Sequence, residues 1–242
     1  MLFLRSLLFY IGMVLATFVF SFIALLLLPL PLQQRYRIMK GWAYFILWWL
    51  KKTCHLTYQV EGVENIPSTP SLILSQHQSA WETIAFQKIF PIQIWILKRE
   101  ILKIPFFGWA IAILKPITID RKNIRQSMQK IIEQGKQRLA EGLWIVIYPE
   151  GTRLKPGEKK RYGIGGAMLA EKSGYPVVPV ALNSGEFWAP SSFIKRPGTI
   201  RVIIGPMIDS KGKNYKQINA LVKKWIDDVN AELTRNGAGE TI

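Results

Sequence analysis

The sequence predicts an α/β fold, a mixed and mostly parallel sheet flanked by helices, preceded by an N-terminal two-helix membrane motif. Three observations predict it. After residue 52, short and continuously apolar runs such as Leu72-Ile73-Leu74 and Ile145-Val146-Ile147 alternate with longer amphipathic stretches, the pattern of strands covered on both faces. From Ser6 to Gln34 no side chain is charged at neutral pH, a length able to cross a hydrocarbon layer of ~30 Å at 1.5 Å per residue. Finally, polar clusters containing His, Glu, Gly and Arg directly follow two of the apolar runs, at the carboxyl ends of strands, where open α/β sheets bind ligands.

Taken in order, the first apolar segment reads as a retained membrane helix. It exceeds the core of a signal peptide, and Leu28-Pro29-Leu30-Pro31 follows it in place of a small-residue cleavage site. Pro29 and Pro31 break the chain before a second segment, Arg35–Lys52. There Tyr36, Met39, Trp42, Ala43, Ile46, Trp49 and Leu50 recur at helical spacing. Its uncharged centre, Gly41–Leu50, is too short to span. Aromatic residues flanked by bases suit the headgroup boundary, and the same spacing suits a helix packed on a core. A hairpin dipping into one leaflet and one span plus one interfacial helix both remain open. Residues 1–52 are therefore expected to anchor the chain, and residues 53–242 to form the α/β domain.

In that domain strands are expected at Leu56–Glu61, Ser71–Ser75, Gln93–Leu97, Pro116–Ile119, Leu143–Tyr148, Val177–Leu182 and Thr199–Ile204. Helices are expected at Trp81–Ile89, Phe107–Leu114, Asn123–Glu141, Ile164–Ser173 and Tyr215–Arg235, with a short piece near Arg99–Lys103 and a frayed tail from Asn236 to Glu240. Ser79 reads as the N-cap of the first of these helices.

The chain has 242 residues and a net charge of +16, a balance that favours anionic partners. Arg5, Arg35, Arg37 and Lys40 are the only charged residues before residue 51, so most of the surplus lies in the α/β part. A single cysteine, Cys54, excludes an intramolecular disulfide and fits a reducing compartment. The basic residues follow no nucleic-acid motif, so no nucleic-acid partner is expected. His55 and His77 are the only histidines; with one cysteine they make no metal-ligand set.

His77 with Glu82, in Ser75-Gln76-His77-Gln78-Ser79-Ala80-Trp81-Glu82, carries the chemistry. A neutral imidazole can take a proton from a hydroxyl, and a carboxylate behind it can fix the tautomer and stabilise the imidazolium. Ser79-x-x-Glu82 is equally a capping box, in which the glutamate serves a backbone N–H. The second cluster, Pro149-Glu150-Gly151-Thr152-Arg153, ends another apolar run. Arg153 offers a planar fork for phosphate oxygens, Gly151 allows close approach to the backbone, and Glu150 could hold the guanidinium or accept from a substrate hydroxyl. Lys155, Lys159, Lys160 and Arg161 read as a solvated loop. His55 reads as structural or interfacial. Ile104–Trp109 suits an acyl groove or plain core packing, and Trp188 and Phe193 suit lipid contact or a partly buried loop.

These residues resemble four sequence blocks of the lysophosphatidic acid acyltransferase family of glycerophospholipid acyltransferases. The blocks are His77-Gln78-Ser79-Ala80-Trp81-Glu82; Lys98 to Gly108 running on to Ile119-Asp120-Arg121; Tyr148 to Arg153; and Val177-Val178-Pro179-Val180, all in family order. The chain departs from the family in two places: glutamate stands at 82 for the usual aspartate, and Tyr162-Gly163-Ile164-Gly165 lacks a basic residue usual there. The resemblance implies a membrane-bound enzyme that moves a fatty acyl group from a thioester, acyl-CoA or acyl carrier protein, to the sn-2 hydroxyl of lysophosphatidate. His77 would be the general base and Glu82 its partner. Arg153, with Lys98 and Arg99, would bind the phosphate; Glu150, Gly151 and Thr152 would position substrate, Glu150 by ordering the Arg153 loop and Gly151 by its amide near the oxyanion. It implies no cofactor and no metal, membrane lipid as a partner, and a bacterial inner membrane with the catalytic domain on the cytoplasmic side. Glycerol 3-phosphate, dihydroxyacetone phosphate or an acyl-amino-acid lipid remain alternative acceptors, and a non-catalytic basic membrane-binding module the alternative from another class.

Overall fold

In the computed structural model, which describes residues 1–120 and 123–237, seven strands form one sheet in the order β1-β7-β6-β2-β5-β3-β4. The strands are β1 (Leu56–Glu61), β2 (Leu72–Ser75), β3 (Gln93–Lys98), β4 (Ile117–Ile119), β5 (Trp144–Ile147), β6 (Val177–Leu182) and β7 (Gly198–Ile204). Every pairing is parallel except β6 with β7, so the expected mixed sheet is present. The central strands β2, β5 and β6 are buried at every position. Their unbroken apolar runs, which carry no alternation, are the signature of strands covered on both faces.

The helices are α1 (Leu2–Leu26), α2 (Leu32–Cys54), α3 (Trp81–Ile89), α4 (Phe107–Ala112), α5 (Ile124–Ala140), α6 (Gly165–Ser173), α7 (Ser184–Phe187) and α8 (Tyr215–Gly237). Arg99–Lys103 forms a 3-10 turn. Asn123 caps α5 by accepting from the Gln126 amide, as its side chain is suited to do. Helix α8 continues through Asn236 and Gly237, which were expected to fray; the rest of that tail, and Arg121 of the second block, lie outside the described residues. The sequence gives no periodic signal for α7, a helix of four residues.

Helix α1 is long and apolar enough to cross a membrane, yet it is packed along its length. Near its start, Phe9 meets the edge of Trp188, and Tyr10 stacks on Phe193. Trp49 of α2 donates to the Leu8 carbonyl and, midway along α1, Trp42 donates to the Thr17 hydroxyl. A Cβ at Gly12 would lie 2.1 Å from Trp49 Nε1, so only glycine admits that indole. Near its end, Phe18 and Phe22 meet Phe106. Arg35 ties the turn between the helices to the body, donating to the carbonyls of Leu28, Leu30 and Ile113.

The core-packed reading of α2 holds on one face, and the opposite face carries exposed aromatic residues. Tyr36, Met39, Ala43, Ile46 and Leu50 are buried in the same core cluster as the sheet, while Tyr44, Phe45 and Trp48 are exposed. Trp188 is buried, and Phe193 is partly exposed beside α1. Between them Lys195 is fully buried, its ammonium donating to Tyr10 Oη and to the Ser192 and Phe193 carbonyls. His55 is exposed in a left-handed conformation just past α2.

Candidate active site

Strand β2 delivers the chain into a tight loop, Gln76–Ala80, before α3 begins. Ser79 is not the N-cap that its position suggests: Ala80 occupies that place, and Ser79 lies one residue earlier with its hydroxyl accepting from the Trp81 amide. Glu82, in the first turn of α3, is fully buried. Its Oε1 accepts from the amides of Gln78 (2.8 Å) and Ser79 (2.7 Å) and lies 2.9 Å from His77 Nδ1. The capping contact and the histidine partner are therefore the same oxygen. A negative side chain is favoured at a helix N-terminus, and a buried carboxylate needs donors; this turn supplies both conditions.

With the carboxylate at Nδ1, the favoured tautomer carries its proton there and leaves Nε2 as an acceptor. The imidazole lies on one face of the Tyr148 ring, 4.0 Å between centroids and 13° from parallel. It lines a cavity of about 620 Å³. Lys98, Gly151, Thr152 and Arg153 lie on the wall of the same cavity, whose remainder is largely apolar, with Thr17 and Phe20 of α1, Trp42 of α2 and Phe107 of α4 contributing. Phe107 thus faces the groove, while Phe106 and Trp109 pack outward beside α1.

The loop after β5 is braced to the His77 loop by two hydrogen bonds. Glu150 Oε2 accepts from the His77 amide at 2.7 Å, and the Leu154 amide donates to the His77 carbonyl at 2.8 Å. Burial pushes the Glu150 carboxyl up to about 7, against the His77 amide and Lys160, which favour its charge; nearby Glu82 adds to the rise.

Three site expectations are corrected. Glu150 does not hold the Arg153 guanidinium: among the described residues no ion pair joins them, and Glu150 instead faces a second basin of about 230 Å³ on the far side of residues 76–78. Gly151, at φ +67°, closes a turn in which its amide donates to the Tyr148 carbonyl, so that amide is already engaged within the loop. Arg99 is exposed in the 3-10 turn and is not part of the cavity wall, unlike its neighbour Lys98. Sequence reasoning also missed two contacts of the dyad. Tyr148 stacks on the ring, and Ser184 Oγ donates to Glu82 Oε2 at 2.9 Å. The only available signal for Ser184 was its place just past an apolar strand. Among the described residues no three His, Cys, Asp or Glu side chains come together to hold a metal.

The comparisons with known proteins bear on family and fold. A family model described as Acyltransferase matches residues 57–183, a span that contains His77, Glu82, Lys98 and Arg153. The chain is 38% identical over 236 residues to the 1-acyl-sn-glycerol-3-phosphate acyltransferase of Pseudomonas aeruginosa, covering 96% of this chain and 92% of that one. It is 31% identical over 191 residues to the chloroplastic 1-acyl-sn-glycerol-3-phosphate acyltransferase BAT2 of Brassica napus, covering 74% and 54% of the two chains. In fold it matches the crystal structure of the 1-acyl-sn-glycerophosphate (LPA) acyltransferase PlsC from Thermotoga maritima, with a TM-score of 0.80 at 23% identity over 96% of this chain and 95% of that one. The chain belongs to the 1-acyl-sn-glycerol-3-phosphate acyltransferase family.

Proposed function

We propose that this enzyme transfers a fatty acyl group from a thioester to the sn-2 hydroxyl of 1-acylglycerol-3-phosphate, with His77 as general base. One observation carries the reading. The His77 ring has Nδ1 on a buried carboxylate and borders an apolar cavity whose wall also holds Lys98 and Arg153. Such a cavity suits a lipid with an anionic head. Nε2 takes the hydroxyl proton as the oxygen attacks the thioester carbonyl; the C–O bond forms, the C–S bond breaks, and the departing thiolate takes the proton back. A positioned base of this kind contributes ~10²–10⁴-fold in rate, and Glu82 stabilises the imidazolium between the two proton transfers. The thioester is already activated, so neither a protein nucleophile nor a cofactor enters.

In the same reading, the helix pair seats the enzyme on a membrane from one side. Helix α1 is held to the body near its start and near its end, and to α2 between, so it cannot cross a bilayer without drawing the body in. Its outward face, with Leu8, Ile11, Leu15, Phe18 and Phe22 exposed, instead lies along one leaflet and meets the amphiphilic acceptor there. The donor, acyl-CoA or acyl carrier protein, arrives from the cytoplasmic side of a bacterial inner membrane. The test is purified protein in detergent with labelled thioesters of both carriers, offered lysophosphatidate, glycerol 3-phosphate and dihydroxyacetone phosphate separately. Labelled phosphatidate is expected from the first acceptor. Transfer to another acceptor alone, or to none, sinks the reading.

A further inference from the structure

Ser184 opens α7 directly behind the His77 loop and is fully buried. Its hydroxyl is the donor to Glu82 Oε2, whereas Oε1 serves His77 Nδ1 and two amides. Two further hydrogen bonds fix the place of that hydroxyl. The Leu182 amide donates to Gln76 Oε1 at 3.3 Å, and the Gly185 amide to Gln78 Oε1 at 3.0 Å. Residues 182–185 are thereby stitched to residues 76–82 at three points. The approach is close: a Cβ at Gly185 would crowd Gln78 Cβ at 3.0 Å.

We propose that Ser184 is a positioning residue of the acyl-transfer site: by holding Oε2 it fixes the plane of the Glu82 carboxylate and sets how strongly that carboxylate supports a protonated His77. The proposal rests on His77 being the base. A carboxylate free at one oxygen loses its fixed plane, although the Gln78 and Ser79 amides keep Oε1 beside Nδ1. A hydrogen bond donated to a carboxylate also weakens its pull on a neighbouring cation, because it favours the charged form by itself. Loss of the Ser184 hydroxyl therefore does two separable things: it lowers turnover through misorientation, and it raises the pH at which His77 titrates. The other groups facing the ring stay in place, namely Tyr148 against its face, Glu150 on its main-chain amide, and Lys98 and Arg153 across the cavity. Glutamate at 82 suits this geometry, since an aspartate is one methylene short of reaching both Ser184 and His77.

The chain has two histidines, and His55 is exposed away from the cavity, so proton NMR can titrate both rings with His55 as internal reference. In Ser184→Ala the His77 midpoint is expected to rise with His55 unmoved. Turnover, kcat, should fall roughly 3- to 30-fold, a loss of about 0.7–2 kcal/mol, with KM for lysophosphatidate unchanged. Ser184→Thr, which keeps a hydroxyl, should restore both to within about twofold. In a Glu82→Asp background, Ser184→Ala should add almost nothing, because the shorter arm no longer reaches both partners. A His77 midpoint that does not move in a folded Ser184→Ala protein overturns the proposal. So does full additivity of the two substitutions. If Ser184→Ala does not fold, Ser184→Thr against Ser184→Cys in the same titration decides, since the thiol is the weaker donor: equal midpoints overturn the proposal. The titration needs no substrate, so a wrong acceptor assignment leaves this result standing.

Discussion

Glu82 and Glu150 follow the ends of neighbouring strands β2 and β5, both are buried, and both bind the main chain of the same loop, yet their surroundings differ. Glu82 meets four partners, the His77 ring, two amides and the Ser184 hydroxyl. Glu150 accepts from the His77 amide, and its carboxyl is pushed up to about 7 by burial. The number of donors around a buried carboxyl decides whether the site can hold it as a charge. In the proposed mechanism Glu82 serves as the negative partner of an imidazolium. Glu150 is built as a brace, and a neutral carboxyl serves a brace as well.

The sharpest way to break this comparison is to neutralise each glutamate in turn. Glu82→Gln keeps an oxygen for the Gln78 and Ser79 amides but removes the charge. We expect kcat to fall by ~10²-fold or more with cooperative melting retained; near-normal turnover reduces Glu82 to a helix cap. Glu82→Asp retains the charge and should keep substantial activity.

Glu150→Gln should leave kcat within a few-fold and act on stability instead. A carboxyl raised from 4.5 to about 7 in the folded state contributes stability that is fully present below pH ~4.5 and lost as the pH rises through ~7. The lost amount is on the order of 3 kcal/mol. The glutamine variant lacks that slope, so at pH 8 it should be the more stable protein, while near pH 5 the two should be close. Parallel Tm curves across that range contradict the assignment.

Two smaller effects test the front of the cavity. Arg153→Ala should raise KM for lysophosphatidate about 10- to 100-fold, the equivalent of one or two charge-assisted hydrogen bonds, with kcat less affected; an unchanged KM removes Arg153 from phosphate binding. Arg99→Ala should change KM less than about twofold, as expected for an exposed side chain outside the cavity wall, whereas Lys98→Ala should follow Arg153. Equal effects at 98 and 99 contradict that placement.

The strands were legible because the central ones are largely apolar and bounded by turns, and all seven fall where the runs lie. His77 with Glu82 was legible because both partners belong to one turn. What stayed hidden depends on residues far apart in the chain. Ser184 meets Glu82 across 102 positions, and Glu150 meets the His77 amide across 73. Nothing local marks either contact, so Glu150 was matched with Arg153, its near neighbour in sequence. Arg99 was linked to Lys98 for the same reason, although the chain turns into a 3-10 helix between them. Helical spacing in α2 identified a buried face but not its partner, which is why core packing and a headgroup position both remained open.

The seam between α1 and the α/β body has a practical consequence for anyone seeking a water-soluble version of this enzyme. Cutting away the first helix removes Thr17 and Phe20 from the wall of the catalytic cavity, uncovers Trp188, and leaves the Lys195 ammonium without the Tyr10 hydroxyl. Such a truncation discards part of the enzyme's interior along with its greasy exterior. Replacing the outward-facing side chains of α1 with polar ones, while keeping Phe9, Tyr10, Gly12, Thr17 and Phe20, is the route that preserves the reaction chamber.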